Sequence, residues 1–325
     1  MTTYQWCQLT LRSDIELPEL RPAPEEQGAR HDWHIRMNRG RAPRRADRHW
    51  FHHWRFPDGR RWLSLARYAG GYLVRFPGLV DFDVRPGDRE IGCYRGAGTP
   101  LRTLRHLLLD QVLPLIAGDR DRLALHASVV ASGTNGAPGA GAVAFLGAAG
   151  NGKSTIAARL AQRGCPIVSD DCCLLQRRTG GFDVAPSYPG VRLRPDSVAR
   201  LFAGITRPLD RVAHYSSKQR IAGPEVGMGF HAHPLPLRQL YMLAPIADQK
   251  SASEPTIRAR SAREGLLALV NFTFHLDVED SGRVGDAFEL AADVAASYEV
   301  RLLTFPWNLA GADAAADAIL TDLTR

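Results

Sequence analysis

Along the first hundred residues apolar side chains alternate with polar ones in short runs, the two-residue period of half-buried strands. TYQWCQLTL, HDWHIRM, HWFHHWRF, RWLSLARYAG, YLVRFP and VDFDVRP carry the alternation, and Gly, Pro and Asp separate them. The pattern predicts a small antiparallel, β-rich domain over residues 1–100. The period then changes: in PLRTLRHLLLDQVLPLIAG, Leu101, Leu104, Leu108, Val112 and Leu115 recur at helical spacing, and Pro114 and Gly118 close the run. The junction is placed just before this helix, leaving residues 101–325 for a second domain.

Beyond Leu123, ALHASVVAS and GAVAFLG read as two strands joined by GTNGAPGAG. KSTIAARLAQR reads as a helix closed by Gly164, and PIVSDDCCLLQ as one strand starting after Pro166. EGLLALVNFTF and DAFELAADVAASY are helical, EVRLLTF is a strand, and GADAAADAILTDLTR is a last helix. Strands alternating with helices predict an α/β domain over a largely parallel or mixed sheet.

Composition narrows the class. At 325 residues and 45% apolar content the chain can bury a core. No apolar run approaches the roughly 18 residues of a membrane span, and the opening MTTYQWCQLTLRSD lacks the features of a secretory signal. A cytoplasmic address without membrane association is expected. Cys7, Cys93, Cys165, Cys172 and Cys173 show no spacing of a disulfide framework or zinc site. The net charge of +7 comes from arginine, since Lys153, Lys218 and Lys250 are the only lysines among 41 basic residues.

That scarcity makes Lys153 informative. Gly147, Gly152, Lys153 and Ser154 satisfy GxxxxGK[ST] between an apolar strand and a helix, where that motif belongs. Glycines let backbone amides turn toward a phosphate, the helix start adds partial positive charge, Lys153 reaches the terminal phosphates and the Ser154 hydroxyl can ligate magnesium. Gly150, Asn151 and Thr155 complete the candidate nucleotide contacts. Asp170 and Asp171 follow after room for one helix, a Gly turn and one short strand. A right-handed crossover would lay that strand beside the loop strand, with both carboxylates emerging near the phosphates. One would hold magnesium with Ser154 and the other accept a proton from an attacking hydroxyl. The sequence leaves open which does which.

Taken together, LHASVV, FLGAAGNGKS and IVSDDCCLL resemble the catalytic domain of HPr kinase/phosphorylase and the HPr-kinase-like serine kinases. Some of that group are encoded with peptide natural products and phosphorylate a precursor peptide on serine. SYPGVRLRPDS looks like the segment after the Asp pair in these relatives, and the similarity spans residues 105 to 325. The resemblance implies an α/β P-loop kinase domain of the HPr kinase C-terminal type, PEP carboxykinase-like, behind a β-rich N-terminal domain. It implies ATP and Mg2+ as cofactors and phosphoryl transfer to a serine hydroxyl. By position, His126 matches the histidine at the catalytic centre of those kinases; Gly147, Gly152, Lys153 and Ser154 match the loop; Asp170 and Asp171 match the paired acids. Thr155 stands where those kinases carry Glu, which argues against the reverse, phosphorolytic reaction. Their first domain differs from this one, which argues against HPr as acceptor. True HPr kinases are hexameric, so a homo-oligomer is compatible with the resemblance.

Lys218 or Arg220 in HYSSKQRI is a further candidate phosphate contact, with Arg192 and Arg194, alternating along one strand face, as second-tier candidates. Residues 30–61 hold ten arginines and five histidines with interleaved tryptophans, a surface suited to an acidic peptide. No nucleic-acid motif accompanies it. The expected function is an ATP-dependent kinase acting on serine of a peptide or protein. The alternatives are a nucleotide-sensing interaction protein with little catalysis and a small-molecule kinase on the same scaffold.

Overall fold

The computed structural model describes residues 1–23, 31–56, 58–133, 140–205, 209–223 and 226–324. Most of the GTNGAPGAG connection, and Arg30 of the basic stretch, lie outside them. The chain divides into two units. The first comprises residues 1–116 with two short returns, 213–215 and 275–284; the second comprises 117–212, 216–274 and 285–325.

In the first unit the alternating runs become β1 (Thr2–Trp6), β2 (Leu9–Ser13), β3 (Arg21–Pro22), β4 (Trp33–Asn38), β5 (His49–Arg55), β6 (Arg61–Tyr68), β7 (Gly71–Phe76), β8 (Val80–Arg85) and β9 (Glu90–Arg95). They form one nine-stranded sheet in the order β3-β1-β2-β4-β9-β8-β7-β6-β5. TYQWCQLTL, read as one strand, is a hairpin: Cys7 and Gln8 turn the chain with φ of 46° and 65°. The turn hides in sequence because neither residue is the Gly or Asn that such a geometry favours. The sheet is also mixed rather than antiparallel, since β4 runs parallel to both β2 and β9.

The predicted helix spans 101–117 as α1 (Leu101–Leu107), a π-helical turn (Leu108–Val112) and α2 (Leu113–Ala117). All but its last residue falls in the first unit, not the second as the junction at 101 would have it. Its side chains explain why. Leu104, Leu107, Leu108 and Val112 are buried, each contributing roughly 1.5–3 kcal/mol, and the Arg105 side chain donates to Glu19 at 2.9 Å.

The second unit contains β10 (Arg122–Leu125), β11 (Ala127–Ser132), β12 (Gly141–Leu146), α3 (Lys153–Gln162), β13 (Ile167–Ser169), β14 (Cys173–Arg178) and β15 (Gly181–Ala185). It continues with β16 (Val191–Leu193), α4 (Pro195–Leu201), β17 (Gln219–Ile221), β18 (Leu235–Leu243), α5 (Ile246–Ser251) and β19 (Thr256–Ala259). The remainder is α6 (Ala262–Phe272), α7 (Ser281–Ser297), β20 (Val300–Thr304) and α8 (Leu309–Asp322). Nine strands make a mixed sheet, and β16 and β17 pair separately. Side chains of β12 alternate between its faces. Val143 and Phe145 join Ile156 and Leu160 of α3 and Ile319 of α8; Ala142, Ala144 and Leu146 join Leu269 of α6 and Leu290 and Val294 of α7. Helices on both faces explain why β12 is apolar throughout. Ser261 starts α6 with a capping box to Glu264.

Two strand readings need correction. ALHASVVAS breaks at His126 into β10, which pairs with β14, and β11, which pairs with β12 and β13. PIVSDDCCLLQ breaks between Ser169 and Cys173, where Asp171 takes a left-handed φ of 62°. Uninterrupted apolar flanks gave no sign that each run serves two ladders. Among the described residues no helix is long and apolar enough to cross a membrane.

Candidate functional site

β12, β18 and β20 run parallel, so the segments leaving their ends share one edge of the sheet. β11 runs antiparallel to both β12 and β13 and lies between them. The crossover from the glycine loop therefore skips one strand instead of landing beside β12 as the sequence suggested. The inserted strand has a consequence. Being antiparallel, it brings its beginning, with His126 and Ser128, to the edge where β12 and β13 end.

At that edge Gly147, Gly150 and Gly152 adopt φ of 153°, 94° and 100°, values that side chains disfavour. A Cβ on Gly152 would also lie 3.3 Å from Phe305 Cζ. The loop is braced from behind by Gln249, whose Nε2 donates to the carbonyls of Ala244 at 2.7 Å and Asn151 at 3.2 Å. Asn151 Nδ2 donates to Ala244 O at 3.2 Å. Lys153 opens α3; its Nζ donates to Gly147 O at 2.7 Å and Ala148 O at 3.3 Å. Burial lowers the Lys153 pKa, against the pull of Asp171 and Asp170. Thr155 is half-buried one position beyond Ser154.

The two acids point to different partners. Asp170 is 1% exposed; its Oδ1 accepts from Ser128 Oγ at 2.6 Å and Ser154 Oγ at 2.9 Å. Its Oδ2 accepts from Arg192 N at 2.9 Å, and its carbonyl from Arg192 Nη2 at 3.0 Å. Asp171, turned by its left-handed backbone, pairs through Oδ2 with Arg192 Nη2 at 2.9 Å. Burial alone would raise the Asp171 pKa, but the Arg192 guanidinium, with Lys218, His126 and Lys153, holds it below the ordinary carboxylate range. His126 donates its backbone N–H to Phe272 O at 2.7 Å and sets its ring 5.8 Å from that of Phe274. Burial depresses its pKa to about 4 even though Asp171 pulls it upward, so the ring is neutral at pH 7.

The structure thus gathers His126, Lys153, Ser154, Asp170 and Asp171, and Lys218 acts on Asp171, His126 and Lys153 through its charge. Arg220 lies instead with its guanidinium 4.7 Å from the centre of the Tyr188 ring. Arg192 and Arg194 separate: the first is 1% exposed and grips both acids, while the second is exposed past the end of β16. Ser128 was missed, although its two-residue offset from His126 was a readable signal. Gln249 gave none.

Chemically, positive-φ glycines and a buried lysine at a helix start suit an anion, and a hydroxyl and carboxylate 2.9 Å apart offer hard oxygens to a divalent cation. Among the described residues no three or more His, Cys, Asp or Glu side chains gather in a metal-binding group. A divalent cation held by Ser154 and Asp170 would need water or ligand oxygens for the rest of its shell.

No family model and no curated protein matches the chain. Among solved structures it is similar to the HPr(Ser) kinase/phosphatase from Coxiella burnetii at 16% identity and a TM-score of 0.32, covering 61% of this chain and 91% of that one.

Proposed function

We propose that the second unit is a P-loop kinase domain that transfers the terminal phosphoryl group of ATP to a serine hydroxyl of a peptide or protein. One observation carries the reading: Ser154 and Asp170 converge at 2.9 Å beside the glycine loop and Lys153, with a second carboxylate next in sequence. The resemblance to HPr-kinase-like serine kinases supplies the acceptor class. The arginine-rich sheet of the first unit favours an acceptor with acidic character.

The loop amides and Lys153 would hold the phosphates, and Ser154 and Asp170 would hold magnesium. When bound, that ion neutralises charge on the phosphate oxygens. Asp170 suits this role because its remaining oxygen and its carbonyl are already fixed by Arg192. Asp171 takes the proton of the acceptor hydroxyl as the new oxygen–phosphorus bond forms and the bond from the γ-phosphorus to the β–γ bridging oxygen breaks. It is a weak base at rest, and a loose transition state asks mainly for orientation until bond formation is advanced. Neutral His126 orients the hydroxyl, while Lys218 offsets charge on the transferring group.

A second reading, a nucleotide receptor with little transfer, draws on the Asp171–Arg192 pair, which neutralises the base. Incubation with labelled ATP and candidate serine peptides separates the two. Label on peptide serine supports the kinase. Nucleotide binding without transfer supports the receptor, and no binding overturns both.

A further inference from the structure

The sheet order distinguishes the two flanks of the glycine loop. On one side of β12 lie β11 and β13, with Ser128, Asp170 and Asp171; on the other lie β18 and β20. The segment after β20 carries Trp307, a large apolar side chain that is 39% exposed. Its indole reaches the loop itself, since Cζ3 lies 3.6 Å from where a Cβ on Gly152 would stand.

The backbone at Trp307 is anchored. Its backbone N–H donates to Gln249 O at 3.1 Å, and the Gln249 side chain donates to Asn151 O inside the loop at 3.2 Å. Phe305, two residues earlier and buried, packs against the same glycine. Gln249 thus bonds both the phosphate loop and the backbone that carries Trp307. An exposed aromatic ring beside an anion-binding loop suits a flat heteroaromatic group attached to a phosphate chain.

We propose that Trp307 is the stacking platform for the base of the bound nucleoside triphosphate, which then lies across the loop with its base toward β20 and its terminal phosphate toward Asp170. This rests on the nucleotide reading of the loop and adds the orientation of the ligand and the residue that recognises its base.

The test compares MgATP with magnesium tripolyphosphate, which has the phosphates and no base, by calorimetry on the full chain. Wild type should bind both, ATP more tightly. Trp307→Ala should weaken ATP about ten- to hundred-fold and leave tripolyphosphate unchanged, while Trp307→Phe keeps most of the ATP affinity. Equal losses for both ligands in Trp307→Ala, or no loss for either, would overturn the platform while leaving the phosphate site standing. If wild type binds neither ligand, the nucleotide reading itself fails, and the platform with it. Thermal melts of both variants establish that they are folded.

Discussion

Arginine–aspartate pairs occur in both units, and two of them, Arg75–Asp81 and Arg192 with Asp170 and Asp171, differ in how far they are removed from water. On the first sheet Arg75 and Asp81 face each other across β7 and β8, bonded by Nε–Oδ1 at 2.9 Å and Nη2–Oδ2 at 2.8 Å, with both side chains in partial contact with solvent. In the second unit Arg192 is 1% exposed and serves two acids as well as a backbone carbonyl. The exposed pair is the better formed as a single fork, yet solvent screens it, and such pairs are worth about 0–1 kcal/mol. The buried one sits where removal of a partner leaves an uncompensated charge, costing about 3–5 kcal/mol. The chain tolerates that liability where the chemistry is proposed, which is where perturbed ionisation clusters.

Four substitutions sharpen or break this contrast. The largest effect is expected on transfer: Asp171→Asn should lower kcat by about 10²–10⁴-fold with nucleotide still bound, measured by label transfer and calorimetry. Full turnover would show that the acid is structural. Arg192→Met should destabilise the fold by about 3–5 kcal/mol, read from denaturant midpoints; a loss under 1 kcal/mol would place it with the surface pairs. Next comes pH. Because the folded-state pKa of His126 is depressed to about 4 from 6.5, its neutral form costs nothing above pH 6.5, and stability is lost as pH falls from 6.5 through 4, by on the order of 3 kcal/mol. His126→Gln should flatten that interval in a urea series. Smallest is Arg75→Met, expected within about 1 kcal/mol of wild type.

Much of this was legible in the sequence. The glycine loop could be read from GxxxxGK[ST] between an apolar strand and a helix, the structure brings Lys153, Ser154 and Asp170 to that edge, and the long amphipathic helices declared themselves by period. What stayed hidden were decisions made by tertiary pairing. Nothing in ALHASVVAS marks His126 as the point where one strand leaves one neighbour for another. Nothing in IVSDDCC says that Asp171 will turn left-handed, although Asp is among the few side chains that tolerate it. Arg192 looked equal to Arg194 because both lie on one face of an extended run, and only the end of β16 between them separates a buried clamp from a solvated side chain. The partnership of Gln249 with Asn151 spans too much sequence for any local pattern to carry.

The left-handed acid at 171 has a corollary for descent. Glycine would relieve its backbone at once, and asparagine would suit it nearly as well, so drift without selection should erase the carboxylate early. The Arg192 guanidinium against it gives the carboxylate a structural reason to stay, so aspartate kept there speaks for the buried ion pair as much as for any chemistry.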